Sequence, residues 1–188
     1  MTTPTRTPPG GTTPHLRVLD TAVEGHASAL VLGGVRIALG VLWLTNVGWK
    51  IPPDFGQERG RGLFAFVNDA VTHPVFPPWS WVVREVILPN FRLFGWAVLI
   101  VEACLGAFLL FGLGTRFWAL VGVAQSTAIG LSVLRTPNEW PWSYYLMVLA
   151  HLAIFAAAAG RTIGLDGVLR PTWAARSSRW SRLLLRAS

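Results

Sequence analysis

A chain of 188 residues that is 52% apolar and only 13% charged holds about half the charge of an ordinary soluble domain, which excludes a conventional water-soluble globule as the expectation. A positive mean hydropathy agrees, and the length suits one compact unit with short tails, leaving no room for a second large domain. The net charge of +7 does not point to nucleic acid, because the excess gathers at one end, where Arg161, Arg170, Arg176, Arg179, Arg182 and Arg186 stand against Asp166 alone; anionic lipid headgroups are the natural partner of such an end.

Residues 1–14, MTTPTRTPPGGTTP, cannot form a continuous helix because Pro4, Pro8, Pro9 and Pro14 interrupt it. With 15–27 they predict a disordered or interfacial N-terminal tail, and no apolar stretch within it reads as a signal peptide. From about 28 to 49 runs a span of mostly apolar residues, long enough for a helix to cross ~30 Å of hydrocarbon. Arg36 is its only charge before Lys50, and Arg36, Trp43 and Lys50 recur at seven-residue intervals on roughly one face. Pro52 and Pro53 stop the helix. Residues 54–90 read as an amphipathic helical cap in two pieces. Gly62 to Val71 places Leu63, Phe66, Val67 and Ala70 along one side, and Pro74, Pro77 and Pro78 separate it from Trp79 to Leu88. Neither piece is long enough to cross, so both are expected at the membrane surface.

A second span is predicted over 91–113 with Glu102 near its centre, closed by the tight turn Gly112-Leu113-Gly114-Thr115-Arg116. A third follows over 117–134, where Gly122, Ser126 and Gly130 form a small-residue face suited to close packing. After a polar loop, a fourth covers 142–159 and carries His151. The stretch 171–188, in which Trp173, Trp180 and Leu183 to Leu185 alternate with arginines, reads as a basic interfacial tail. The expected fold is all-α: an integral membrane four-helix bundle within 28–170, with a long amphipathic cap between spans 1 and 2. Four crossings put both termini on one side, and the arginine bias makes that side the cytoplasmic face of a plasma membrane. Trp43, Trp49, Trp140 and Trp142, near span ends, are expected to anchor in the headgroup layer.

Arg36, Glu102, Gln125 and His151 each fall inside a different span. Charges at such depth turn to the bundle interior and pair, so an Arg36–Glu102 ion pair extended by Gln125 and His151 is the expected constellation. Two readings of it stay open. One is a pocket for a carbonyl-bearing amphiphile such as a quinone, with an arginine donating to a ring oxygen and a carboxylate beside a histidine moving a proton. The other is a structural ion pair that sets the register of four smooth helices. Cys104 is the single cysteine, which rules out an internal disulfide or a CxxC redox pair. His73 has no second histidine nearby, so no metal site is expected, and no GxGxxG, Walker, HExxH or GxSxG motif is present.

Three features in this order and spacing carry a family resemblance: Arg36-Ile37-Ala38-Leu39-Gly40 leading to Gly48-Trp49-Lys50; Glu102 followed by the Gly112–Arg116 turn; and Ala159-Gly160-Arg161-Thr162-Ile163-Gly164-Leu165-Asp166. Over residues 30–170 the chain resembles the DoxX-like membrane proteins, the group that includes the small DoxD subunit of thiosulfate:quinone oxidoreductase. The resemblance implies a four-helix membrane domain that works beside a redox partner and communicates with quinones, with Arg36, Lys50, Glu102, Arg161 and Asp166 as the positions carried over. The long 50–92 segment departs from compact members and resembles the longer quinone-oxidoreductase subunits. Asp166 can accept from backbone or pair with Arg116 or Arg161, a scaffold role.

The function so implied is that of a membrane subunit of a quinone-linked redox system, binding a quinone or similar lipid without a covalent cofactor and receiving electrons from a separate protein. Whether the subunit is itself catalytic is open. One alternative is a non-catalytic membrane scaffold or assembly protein whose cap and arginines bind partners. The other is a small-molecule or proton pathway along Asn46, Gln125 and His151. An oligomer is compatible with all three.

Overall fold

The computed structural model describes residues 25–188; the N-terminal tail expected over 1–27 lies outside them except for its last three residues. Among the described residues the chain is all-α, without a strand. The long helices are α1 (His26–Val47), α4 (Phe91–Phe111), α5 (Thr115–Val133) and α6 (Pro141–Ala157). The shorter ones are α2 (Leu63–Thr72), α3 (Pro77–Val82), α7 (Leu165–Ala174) and α8 (Arg179–Ala187).

Glycines decide which long helices meet most closely. A Cβ at Gly40 would stand 2.7 Å from the Leu110 nitrogen and 2.9 Å from the Gly106 oxygen, so α1 and α4 touch backbone to backbone and form one pair. The small-residue face of α5 makes the other pair with α6: Gly122 lies against the His151 ring, Ser126 is fully buried, and Gly130 faces the Tyr144 Cβ. Between α4 and α5 the chain reverses at Gly112 and Gly114, whose φ values of +67° and +60° suit residues without a Cβ.

Two apolar clusters result. Leu39, Trp43, Leu105, Leu109, Ala119, Ile154 and Ala159 join the four long helices. Phe55, Leu63, Val67, Ala70, Val83, Ile87, Phe91 and Val98 fasten α2 and the α3–α4 junction to the start of α4. The short helix expected from 62 to 71 is therefore present, with Leu63, Val67 and Ala70 buried.

The second piece of the expected cap is a different matter. Instead of stopping before Phe91, the chain continues from Pro77 to Phe111 as one apolar helical run of 35 residues. The missing donor of Pro89 is accommodated because the helix widens to a π-turn at Val83–Ile87 and tightens to a 3₁₀ turn at Leu88–Asn90. The Asn90 side chain donates to the Val86 oxygen at 2.9 Å, supplying one of the bonds the ladder loses there.

Among the described residues two runs are long and apolar enough to cross a membrane, His26–Val47 and Pro77–Phe111; at ~1.5 Å per residue even the shorter reaches roughly 33 Å. Large apolar side chains point outward on all four long helices, among them Leu30 and Val31, Leu93 and Ile100, Phe117 and Leu120, and Leu146 and Leu149. An outer surface of that kind belongs against lipid rather than water, and the protein is membrane-associated. Residues 171–188, whose order the sequence left open, complete α7 and form α8, which packs on α7 and α5.

Candidate functional site

The first apolar cluster ends where the two helix pairs separate, and there a cleft of about 1000 Å³ opens between α1, α4, α5 and α6, closed at one end by α2 and α3. Its walls are mainly apolar and aromatic, with Trp43, Trp49, Phe66, Trp79, Phe94 and Tyr144 among the lining side chains. Leu42, Thr45 and Trp49 on α1 and its end, Phe66 on α2 and Ala124 on α5 are exposed as well as lining, so the cleft has an open side. A concave, largely apolar site with a few placed polar groups is the common form of a small-ligand site.

The polar groups converge on Glu102, which is 1% exposed. Lys50, 2% exposed, pairs with its Oε2. Gln125 Nε2 donates to Oε1 at 3.1 Å, and Asn46 Nδ2 to Oε2 at 3.5 Å. Lys50 Nζ also donates to the Asn46 oxygen at 2.9 Å and stands 4.7 Å from the Trp49 ring centroid. Trp49 in turn donates to Asn46 Oδ1 at 2.8 Å. One cation and one anion cancel, so a net-neutral set of hydrogen-bonding groups faces the cleft.

This overturns the expected Arg36–Glu102 ion pair. Arg36 is buried, but its Nη1 donates to the oxygens of Leu109 and, at 2.9 Å, Leu110, and its Nη2 to the Ile163 oxygen. Position within a span does not decide which residues of neighbouring helices lie level. In fact α1 packs with Arg36 level with the last turn of α4, about two helical turns, or ~10 Å, from Glu102. The expected four-residue constellation thus divides. Glu102 and Gln125 meet, Arg36 belongs to the far end, and His151 lies behind the cleft wall.

At that far end Asp166 fastens the chain after α6 to the start of α5, its Oδ1 accepting from Gly114 N at 2.7 Å and its Oδ2 from Thr115 N at 2.8 Å. A carboxylate at a helix N-terminus satisfies orphan donors and suits the dipole. Arg161 donates to the Ser188 oxygen at 3.0 Å. Of the family-pattern positions, Lys50 and Glu102 are at the cleft, while Arg36, Arg161 and Asp166 hold the opposite end.

His151 is fully buried. Its Nδ1 lies 2.6 Å from the Met147 oxygen, and its Nε2 lies 3.0 Å from Trp43 Nε1. A carbonyl only accepts and an indole N–H only donates, so the ring is neutral with its proton on Nδ1. It therefore acts as a bracket that sets the Trp43 indole in the cleft wall. Trp43, 3% exposed, is not the headgroup anchor it was expected to be. Trp49, at 37%, and Trp140 and Trp142, at 69% and 65%, are exposed. Substituting Gly122→Ala places a Cβ inside the His151 ring, and displacing that ring is expected to cost about 1–3 kcal/mol. Unfolding followed by circular dichroism measures it, and an unchanged midpoint would show that His151 is not held as described.

The sequence placed Lys50 on one face with Arg36 and Trp43 and among the family-pattern positions, and named Asn46 only in the alternative of a pathway with Gln125 and His151; neither was joined to Glu102. The seven-residue recurrence of Arg36, Trp43 and Lys50, with Asn46 one turn before Lys50, was the available signal. No group of three or more His, Cys, Asp or Glu side chains among the described residues is arranged to hold a metal.

A family model described as "TQO small subunit DoxD" matches residues 66–187. The match starts within α2 and includes Glu102, Gln125, His151, Arg161 and Asp166; Arg36 and Lys50 precede it. No curated protein and no solved structure matches the chain.

Proposed function

Because the chain belongs to the DoxD family, we propose that it is the membrane subunit of a quinone-linked redox system and that its cleft takes a quinone or a similar carbonyl-bearing amphiphile. In this reading α1, α4, α5 and α6 all cross the bilayer as a four-helix bundle within 28–170. The segment 54–90 covers one end, and the termini and arginines face the anionic cytoplasmic leaflet. The single observation that supports it is a roomy aromatic cleft whose polar end is net neutral, with Lys50 and Glu102 both buried and joined by Asn46 and Gln125. A neutral ring with carbonyl oxygens suits such a place: the flat face lies on the indoles, and Lys50 or Gln125 turns an N–H to an oxygen. The hydrocarbon tail leaves through the open side into lipid. Glu102, with both oxygens engaged by donors, holds the position from which a proton passes to or from a bound oxygen. Electrons come from a separate redox protein, since Cys104 is the only cysteine and no covalent cofactor is called for.

The test is extraction into lipid nanodiscs without detergent and mass spectrometry of the bound lipids. Wild-type protein is expected to retain a quinone, and Ala128→Phe, which fills the cleft wall, to lose most of it while unfolding as wild type does. Quinone content equal in the two proteins, or absent from both, would remove the proposal and leave the scaffold reading in its place.

A further inference from the structure

Among the described helices the most one-sided is α8, away from the cleft. Ser178 caps the helix, accepting from Ser181 N at 3.2 Å. Ser181 is 4% exposed and Arg170 Nη1 donates to the Leu185 oxygen at 2.8 Å, so the Ser181–Leu185 side faces the body of the protein. That contact determines where everything else points. Trp180, Leu183, Leu184 and Ala187 follow the i, i+3, i+4, i+7 rule of a single stripe, and Trp180, Leu183 and Leu184 are 76%, 54% and 41% exposed. Arg179, Arg182 and Arg186 follow i, i+3, i+7 along the neighbouring stripe and are exposed. No acidic residue occurs after Asp166.

A helix with one face held by the protein, one apolar face bare and a basic face beside it is matched by one kind of surface: an anionic lipid leaflet, with acyl chains for the indole and leucines and phosphates for the guanidiniums. A soluble protein partner would have to supply an apolar groove and an acidic rim in one piece, whereas the membrane this chain already inhabits has both. We infer that α8 is an in-plane docking helix that seats this end of the protein on anionic lipid through Trp180, Leu183 and Leu184, with Arg179, Arg182 and Arg186 selecting the charge. The docking holds whether or not the cleft binds a quinone.

The experiment uses the full chain with Cys104→Ser and a nitroxide on Leu183→Cys, reconstituted in nanodiscs of phosphatidylcholine with or without phosphatidylglycerol. Paramagnetic relaxation by oxygen and by a water-soluble nickel chelate reads the label's depth. The label is expected in the acyl layer of the phosphatidylglycerol discs and in water in the neutral ones. Combining Arg179→Gln, Arg182→Gln and Arg186→Gln is expected to shift the docked-to-free ratio in the charged discs by on the order of a hundredfold. These arginines lie outside the body contacts, so folding is not at stake. A nitroxide at Arg182→Cys is the water-facing control. A Leu183 label that stays in water in the charged discs overturns the inference, whether the face is bare, covered by a second copy as seen by spin–spin broadening, or covered by another protein. Equal immersion in charged and neutral discs overturns it too.

Discussion

Lys50→Met is expected to lower the stability of the folded protein by about 3–5 kcal/mol, because it leaves the Glu102 carboxylate buried without its cation. Glu102 is 1% exposed and cannot turn to solvent; Asn46 and Gln125 remain as donors, but neither carries charge. Glu102→Gln is expected to cost a similar amount, for the complementary reason that Lys50 is stranded. The double substitution Lys50→Met with Glu102→Gln removes both charges and is expected to recover most of the loss, since a buried pair contributes little once both ions are gone. Unfolding in mixed micelles at rising dodecyl sulfate, followed by circular dichroism, supplies the four stabilities of the cycle. If either single variant unfolds with wild-type midpoint, the two side chains are not a desolvated pair. The double variant also separates stability from binding: it is expected to fold and yet release its quinone, having lost the charged donor and the carboxylate together.

Arg36→Leu is expected to be comparably severe for another reason. The guanidinium is the shared donor for the Leu109, Leu110 and Ile163 oxygens. Leu109 and Leu110 stand in the last turn of α4, where carbonyls run out of helical donors; Gly112 N also donates to the Leu109 oxygen, at 3.3 Å. A bond from a charged donor contributes roughly 1.5–3 kcal/mol, and an oxygen left buried without one costs as much again, so a total on the order of 4 kcal/mol is expected. Arg36→Lys is expected to fall in between, since one ammonium cannot reproduce a planar fork reaching both α4 and the 160–164 loop. Because Arg36 lies away from the cleft, both variants should keep quinone in the fraction that remains folded. Quinone loss from folded Arg36→Lys protein would mean that the two ends of the bundle are coupled.

Much of this architecture was readable residue by residue. Gly62 to Val71 shows its apolar side in its spacing, and the Gly112–Arg116 turn shows itself in its glycines. The α3–α4 junction was not readable, because a proline normally marks a helix end and nothing local announces that a π-turn and the Asn90 side chain will carry the helix through Pro89. The candidate site was legible by half. Glu102 and Gln125 stood out as polar residues deep in apolar runs, but Lys50 looked like the closing charge of a span, and Trp43 looked like an anchor until His151 was found holding its indole.

By itself the sequence determined that this is a helical membrane protein of the DoxD family, with a basic end and buried polar residues that require partners. The helical, membrane and basic character follows from the length of apolar runs, from helix-breaking residues and from composition, all of which act locally, while the family rests on the match of residues 66–187 to its model. Only the tertiary structure decided which partners meet. Pairing depends on how far one helix slides along another, and that offset is set by contacts such as Gly40 on Gly106, which side-chain spacing along a single helix does not encode. The same offset carries Arg36 to the end of α4, brings Lys50 to Glu102 and leaves the cleft between the helix pairs.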